Sequence, residues 1–379
     1  MRVLHVHERA GFHGGVEQIL YDTARGLGNL GWPQGLMHCD PAPEPDFVAA
    51  FEQASDGESV LKDFAPDVLF LHKSENPDQV RRLAERLPTV RMVHDHDLVC
   101  MRRHKYFPIS TRVCDRPAGI DCYLHLCFIQ RAGSGSLLPI KLVGVGERRR
   151  AIHAHEAVRR FLVGSEWMRR ELAINGIPKD KIEITPPIPA ALAEIQAMPP
   201  SVAPEILFVG QVIRGKGVDL LLRALAEVPP PWHATVVGTG NHLEACKKLA
   251  HELRIEDQVR FAGWVPHSEL TPLYVDAALT VVPSRWPEPF GMVGIEAMAR
   301  GRPVVGFSVG GIPDWLEDGV TGLLVPEADT SALAAAVHRL LRDEPLRVKL
   351  GEAAVQRVRE RYQPEMYLQR VMTVLETVA

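Results

Sequence analysis

The chain has 379 residues, 46% hydrophobic and 24% charged, with a formal net charge of −4. That length exceeds one ordinary core and implies two domains; the composition is that of a globular protein, and the charge argues against nucleic acid as a partner. No apolar run reaches the roughly eighteen residues of a membrane span, and His5, His7 and Glu8 interrupt any signal-like run at the N-terminus. A cytosolic location is therefore expected, which disfavours disulfides among the six cysteines.

Arg2 to His7 reads as a buried strand, Gly11 to Gly15 as a turn, and Val16 to Leu30 as an amphipathic helix. Strand-like runs recur at 68–71, 90–94 and 160–163, with helical patterns at 77–87 and 166–175. Prolines 186, 187, 189, 199, 200 and 204 resist both helix and central strand and suggest a linker. The rhythm then restarts, with strands at 206–210, 233–238, 259–261, 279–282, 303–307 and 322–325. Helices are expected at 218–228, 243–253, 294–300, 331–342 and 346–362. Strands alternating with helices predict two doubly wound α/β domains, residues 1–198 and 199–361, with a terminal helix of about 362–379 packing back on the first. Ligands are expected at the carboxyl ends of the strands.

The strongest chemical signal lies between Pro283 and Val305. A strand ends at Pro283 and Ser284, a loop carries Glu288, Gly291 opens a helix, and Glu296 sits about one turn into it. Backbone N–H groups around Phe290–Val293 stand at a helix start, where an anion or sugar oxygens can bind. A carboxylate accepts two hydrogen bonds, which suits Glu296 to the vicinal hydroxyls of a ribose and Glu288 to those of a second sugar. Read alone, both could equally be solvated acids near a helix N-terminus. Arg214 and Lys216 share a short loop with glycines at 215 and 217. They offer a guanidinium fork and a movable point charge to a diphosphate, or form an ordinary basic loop. Gly14 and Gly15 precede the first helix, where they admit a pyrophosphate or acceptor oxygen, or simply make a turn.

The segment around Glu288 and Glu296 resembles the E-x7-E motif of the retaining glycosyltransferases of the GT-B fold, family 4 in particular. Gly291, Gly301, Pro303, Gly310 and Gly311 match the surrounding pattern. The resemblance implies two Rossmann-like domains facing each other across a cleft, and a nucleotide diphosphate sugar donor, UDP- or GDP-linked. It places Glu296 on the donor ribose and Glu288 on the transferred sugar, with backbone amides of Phe290, Gly291 and Met292 helping. It places Arg214 and Lys216 on the diphosphate, Val265 in a loop near the base, Gly14 and Gly15 on the other side of the cleft, and His94 beside the transferred sugar. His96 lies one residue off that pattern, although strand alternation would put both histidines on one face. Ile188 departs from the family, which usually has glycine there. Transfer would need no cofactor, protein cations replacing a metal, and would retain the anomeric configuration by front-face attack with the departing phosphate as base. The acceptor stays unidentified. An inactive nucleotide-sugar binder, or an epimerase on the same architecture, is the alternative reading.

Two features stand apart. Cys100, Cys114, Cys122 and Cys127 fall close together in an insertion after His94. Four thiolates can hold a structural zinc or an iron–sulfur cluster, but the spacing lacks a C-x2-C knuckle, so unligated thiols and disulfides stay open. Lys141 to Arg170 holds eight basic and three acidic residues. Such a run suits peripheral contact with the inner face of an anionic membrane, or a solvated helix face.

Overall fold

The structure, a computed structural model, describes residues 1–74, 76–131, 140–193, 201 and 203–379. It forms two compact units. The first comprises Met1–Ile109, Asp115–Ala191 and Pro364–Ala379; the second comprises Ser110–Cys114 and Leu192–Gln363.

In the first unit the strands are β1 (Val3–Val6), β2 (Gln34–Met37), β3 (Gln53–Ser55), β4 (Val68–Leu71), β5 (Thr89–Val93), the hairpin β6 (Ile129–Arg131) and β7 (Ile140–Leu142), then β8 (Arg160–Val163) and β9 (Ile182–Ile184). Seven of them make one parallel sheet in the order β3-β2-β1-β4-β5-β8-β9, while β6 and β7 pair antiparallel. Strands β1 and β4 are buried at every position, as a parallel sheet covered on both faces demands. Helix Gly15–Asn29 turns Ile19, Leu20, Thr23, Ala24 and Leu27 inward, the spacing of one helix face. Helix Pro364–Val378 buries Tyr367, Val371, Val374 and Leu375. The Tyr367 and Thr23 hydroxyls lie 2.9 Å apart.

The second unit carries β10 (Glu205–Val209), β11 (His233–Val237), β12 (Val259–Gly263), β13 (Leu279–Val282), β14 (Val304–Phe307) and β15 (Gly322–Val325). All are parallel, in the order β12-β11-β10-β13-β14-β15. In both sheets the first strand lies beside the fourth, so chain direction across the sheet reverses at β1/β4 and at β10/β13. Loops leaving those strand pairs diverge, and the crevice between them is where doubly wound sheets bind ligands. The fold is thus the expected pair of Rossmann-like α/β sheets.

Two details differ from the sequence reading. Thr185, Ile188 and Pro189 are buried, and the Thr185 N–H donates to Val163 O at 2.8 Å, so the first half of the proline-rich stretch is packed; the chain passes from the first unit to the second just after it, between Ala191 and Leu192. The later part, 194–200, lies outside the described residues. The basic run of 141–170 is divided among β7, helix Val145–His153, β8 and the start of helix Glu166–Ile174, so it is not one helix face. No helix among the described residues is long and apolar enough to cross a membrane.

Candidate active site

The second unit brings two loops together at its switch point. The loop after β10 carries Arg214 and Lys216 in one short 3-10 turn, and the loop after β13 carries Ser284, Arg285 and Glu288. Arg285 stitches them: its guanidinium grips Asp219 with two bonds of 2.7 and 2.6 Å and donates to Arg214 O at 2.8 Å. The N–H groups of Arg285 and Trp286 both donate to Gly215 O at 2.9 Å. Burial alone would raise the Asp219 carboxyl, but the Arg285 hydrogen bonds and charge prevail and hold it below the ordinary carboxylate range. Gly217 has φ +73°, and a Cβ there would overlap Pro283 O. Glycine is required because the two loops touch at this point.

This stitching sets Lys216 against Glu288. The ammonium lies 2.7 and 2.9 Å from the two carboxylate oxygens, and the Ser284 hydroxyl donates to Oε1 at 2.5 Å. Glu288 is only 5% exposed. It is not a solvated acid. Lys216 keeps a third N–H for another acceptor, and the exposed Arg214 guanidinium makes no ion pair among the described residues. The backbone of Glu288 is clamped from behind: its carbonyl accepts from the Gly311 N–H at 2.7 Å. A Cβ on Gly310, φ +57°, would stand 2.6 Å from Glu288 O and closer still to Glu288 N.

Gly291 has φ +101° and starts helix Met292–Ala299 without a side-chain cap. The turn is held by the buried Trp315, whose indole N–H donates to Phe290 O at 2.6 Å. Glu296, 6% exposed, lies in this helix. Its Oε1 is 3.1 Å from His267 Nε2, and its Oε2 accepts from the Tyr274 hydroxyl at 3.0 Å. Burial, and then the Glu296 carboxylate, hold the Tyr274 phenol well above its usual range, so it remains a hydrogen-bond donor. Each Glu296 oxygen retains a lone pair, enough for two neighbouring hydroxyls. Val265 sits in the loop following β12, two residues before His267.

In the first unit, Gly14 is the N-cap of helix Gly15–Asn29, and Glu17 in its first turn lies 3.1 Å from His7 Nε2. Strand β5 ends at Val93, so the alternation expected to place His94 and His96 on one face stops before either. His94 lies against His72, Nε2 to Nδ1 3.0 Å, whereas His96 is fully buried with its ring edge against Trp167. A cavity of about 300 Å³ opens at this end of the sheet, lined by His7, Glu8, Cys39, Lys73 and Gln79 among others.

The four clustered cysteines are divided between the two units. Cys114 belongs to the second unit and the other three to the first. No disulfide joins any of them, and among the described residues no group of three or more His, Cys, Asp or Glu side chains could hold a metal ion.

The motif pair Glu288 and Glu296 and the loop pair Arg214 and Lys216 were visible in sequence; Ser284, Arg285, Asp219, His267 and Tyr274 were not. Asp219 and Arg285 lie 66 residues apart, and no local pattern connects them.

Residues 196–357 match the family model described as glycosyl transferases group 1. The D-inositol 3-phosphate glycosyltransferase of Corynebacterium aurimucosum is 41% identical over 159 residues, covering 40% of this chain and 38% of that protein. An uncharacterized glycosyltransferase of Methanocaldococcus jannaschii is 36% identical over 159 residues, 41% of this chain and 40% of that one. The chain therefore spans about two fifths of the length of the curated relatives it matches. The crystal structure of Anabaena Alr3699/HepE in complex with UDP-glucose superposes over 100% of both chains with a TM-score of 0.75 at 17% identity. Sucrose-phosphate synthase from Thermosynechococcus elongatus covers 100% of this chain and 98% of its own, with a TM-score of 0.75 at 20% identity. By its fold the chain is of the GT-B type, and its residues 196–357 match the glycosyl transferases group 1 family.

Proposed function

We propose that the chain is a retaining glycosyltransferase of family 4 that moves a sugar from a nucleotide diphosphate sugar to a hydroxyl acceptor. The observation that carries this reading is the constellation at β10/β13: two cations on one loop, one of them bound to a buried carboxylate on the other. Leaving-group charge develops on the diphosphate, and cations fixed in advance stabilise it without reorganising at the moment of reaction. Arg214 and Lys216 take that role, so transfer needs no metal. Glu288 accepts hydroxyls of the transferred sugar, and Glu296 accepts those of the donor ribose. Phe290, Gly291 and Met292 offer backbone amides, and Val265 lies toward the base. The Anabaena neighbour was solved with UDP-glucose, which favours a uridine diphosphate donor over the guanosine alternative.

In the first unit, Gly14, Gly15 and His94 present groups to the substrates. No carboxylate nucleophile is invoked; attack proceeds from the front face with the departing phosphate as base. The first acceptor to test is inositol 3-phosphate, because several relatives are named for it. The setting is cytoplasmic, with peripheral contact to an anionic membrane through Arg149, Arg150 and their neighbours.

The test is incubation with a panel of nucleotide diphosphate sugars and this acceptor in excess chelator, with the product read by NMR. A product keeping the donor's anomeric configuration is expected. An inverted product, or activity lost with chelator and restored by a divalent metal, refutes the reading.

A further inference from the structure

Three histidines of the first unit form a single file. His5, inside β1, is wholly buried between the rings of Phe51 and Phe70, with centroids at 5.7 and 5.6 Å. His72 follows β4 and is 2% exposed; His94 follows β5 and is partly exposed. Gln34 Oε1 lies 2.8 Å from His5 Nε2, His5 Nδ1 lies 3.1 Å from His72 Nε2, and His72 Nδ1 lies 3.0 Å from His94 Nε2. Successive rings are nearly parallel, at 19° and 14°. The file starts in the core and ends at the carboxyl ends of the strands.

The direction of every hydrogen bond in this file follows from its first member. Gln34 Nε2 donates to Trp32 O at 2.8 Å. A carbonyl can only accept, so the amide cannot be turned around, and its oxygen must face His5. His5 then carries its proton on Nε2 and has a bare Nδ1. That atom can only accept, so His72 is protonated on Nε2, and the same logic passes to His94. A second proton on His5 or His72 would set two donors face to face. Burial also opposes charging: it pushes His5 down to about 4 and His94 to about 3, and His72 well below its usual value. Around the file, His7 neighbours all three rings, and Glu17, Arg91 and Asp97 act on His94. Glu17 is engaged by His7 and Asp97 by Arg91.

We infer that Gln34, His5 and His72 are positioning residues that lock His94 as the Nε2–H tautomer, leaving its Nδ1 as an acceptor that selects a hydroxyl donor rather than an anionic oxygen. Nδ1 makes no hydrogen bond among the described residues. A sugar or polyol O–H can donate to it; an ionised carboxylate or phosphate oxygen has nothing to donate and meets a lone pair. This deepens the glycosyltransferase reading by naming the group His94 takes, but the tautomer itself does not depend on that reading.

The test is long-range nitrogen–proton NMR on the full chain with labelled histidine, the His94 signals being assigned from their loss in His94→Gln. At pH 7, and again at pH 5, His94 should be neutral and protonated on Nε2. A proton on Nδ1, an even tautomer mixture, or titration near pH 6.5 overturns the proposal whether or not any transfer is detected. Gln34→Leu should release the lock and give His94 both tautomers; an unchanged His94 in folded Gln34→Leu also overturns it. With a working transfer assay, His72→Leu should lose about ten- to hundredfold in kcat/KM. His72→Gln, whose amide can accept from His94 and donate to His5, should recover most of that loss. Equal loss in both folded variants counts against the lock.

Discussion

Gly310→Ala is a sharp test of how Glu288 is positioned, because the glycine's role is steric and local. The residue has φ +57°, which costs a side chain about 1–2 kcal/mol. Its new Cβ would stand 2.6 Å from Glu288 O, roughly 0.8 Å short of the 3.4 Å at which ordinary contact begins. The neighbour is backbone and cannot rotate away, so the Glu288 segment must move by a sizeable fraction of an ångström. Displacing a reacting or orienting group by 1 Å costs on the order of a hundredfold in rate. Gly319→Ala supplies the control: φ is +70°, but nothing lies within 4 Å of its Cβ. Both variants share the cost of a side chain at positive φ, so Gly310→Ala should lose at least as much stability as Gly319→Ala in thermal unfolding, while only Gly310→Ala should lose tens- to hundredfold in kcat. Equal activities in the two variants, or equal losses, would refute the claim that the Gly310 loop holds Glu288 in place.

Other outcomes follow from the same geometry. Arg214→Ala should lower kcat by roughly ten- to a thousandfold with little change in unfolding temperature. Lys216→Met should lower kcat by a similar factor and also lower the unfolding temperature, because it strips the buried Glu288 of its partner; a double variant as active as the wild type removes the diphosphate assignment. The buried imidazoles predict an acid-sensitive first unit. The unfolded chain binds these protons near pH 6.5, while the folded one resists until about 4 at His5 and about 3 at His94. Their contribution is therefore complete above pH 6.5 and falls with acidification, by about 2 kcal/mol each at pH 5. Denaturant midpoints that stay flat between pH 7 and 5 contradict this, and His5→Gln should flatten the slope. The membrane proposal predicts binding to vesicles rich in phosphatidylserine at low salt that fades as salt rises; no binding at low salt removes it.

Much of this fold was legible because its strands are apolar and its helices amphipathic. Val68-Leu-Phe-Leu71 and Leu279-Thr-Val-Val282 stand out as runs that only a sheet covered on both faces accommodates. Strand β2 escaped because Gln34-Gly-Leu-Met37 has neither alternation nor β-branched residues. Its glutamine is buried only because His5 and Trp32 satisfy the amide, a long-range fact. Helix Leu270–Asp276 was missed because Pro272 looks like a breaker, yet it stands in the first turn, where proline lacks no needed donor. The site divides in the same way. Glu288, Glu296 and Lys216 are marked by local spacing, whereas Asp219 with Arg285, Tyr274 with Glu296, and the histidine file join elements far apart in the chain. The expected pairing of His94 with His96 failed because β5 ends at Val93, before either residue, so alternation does not apply.

The most direct measurement is a calorimetric titration of uridine and guanosine diphosphates into the wild-type chain and into Glu296→Ala. One nucleotide, the uridine form, should bind the wild type without added metal. Losing the carboxylate that receives the ribose should weaken that binding by roughly ten- to a hundredfold, the cost of a hydrogen bond or two to a charged group. No binding of either nucleotide to the wild type, or equal binding to Glu296→Ala, would contradict the proposed function.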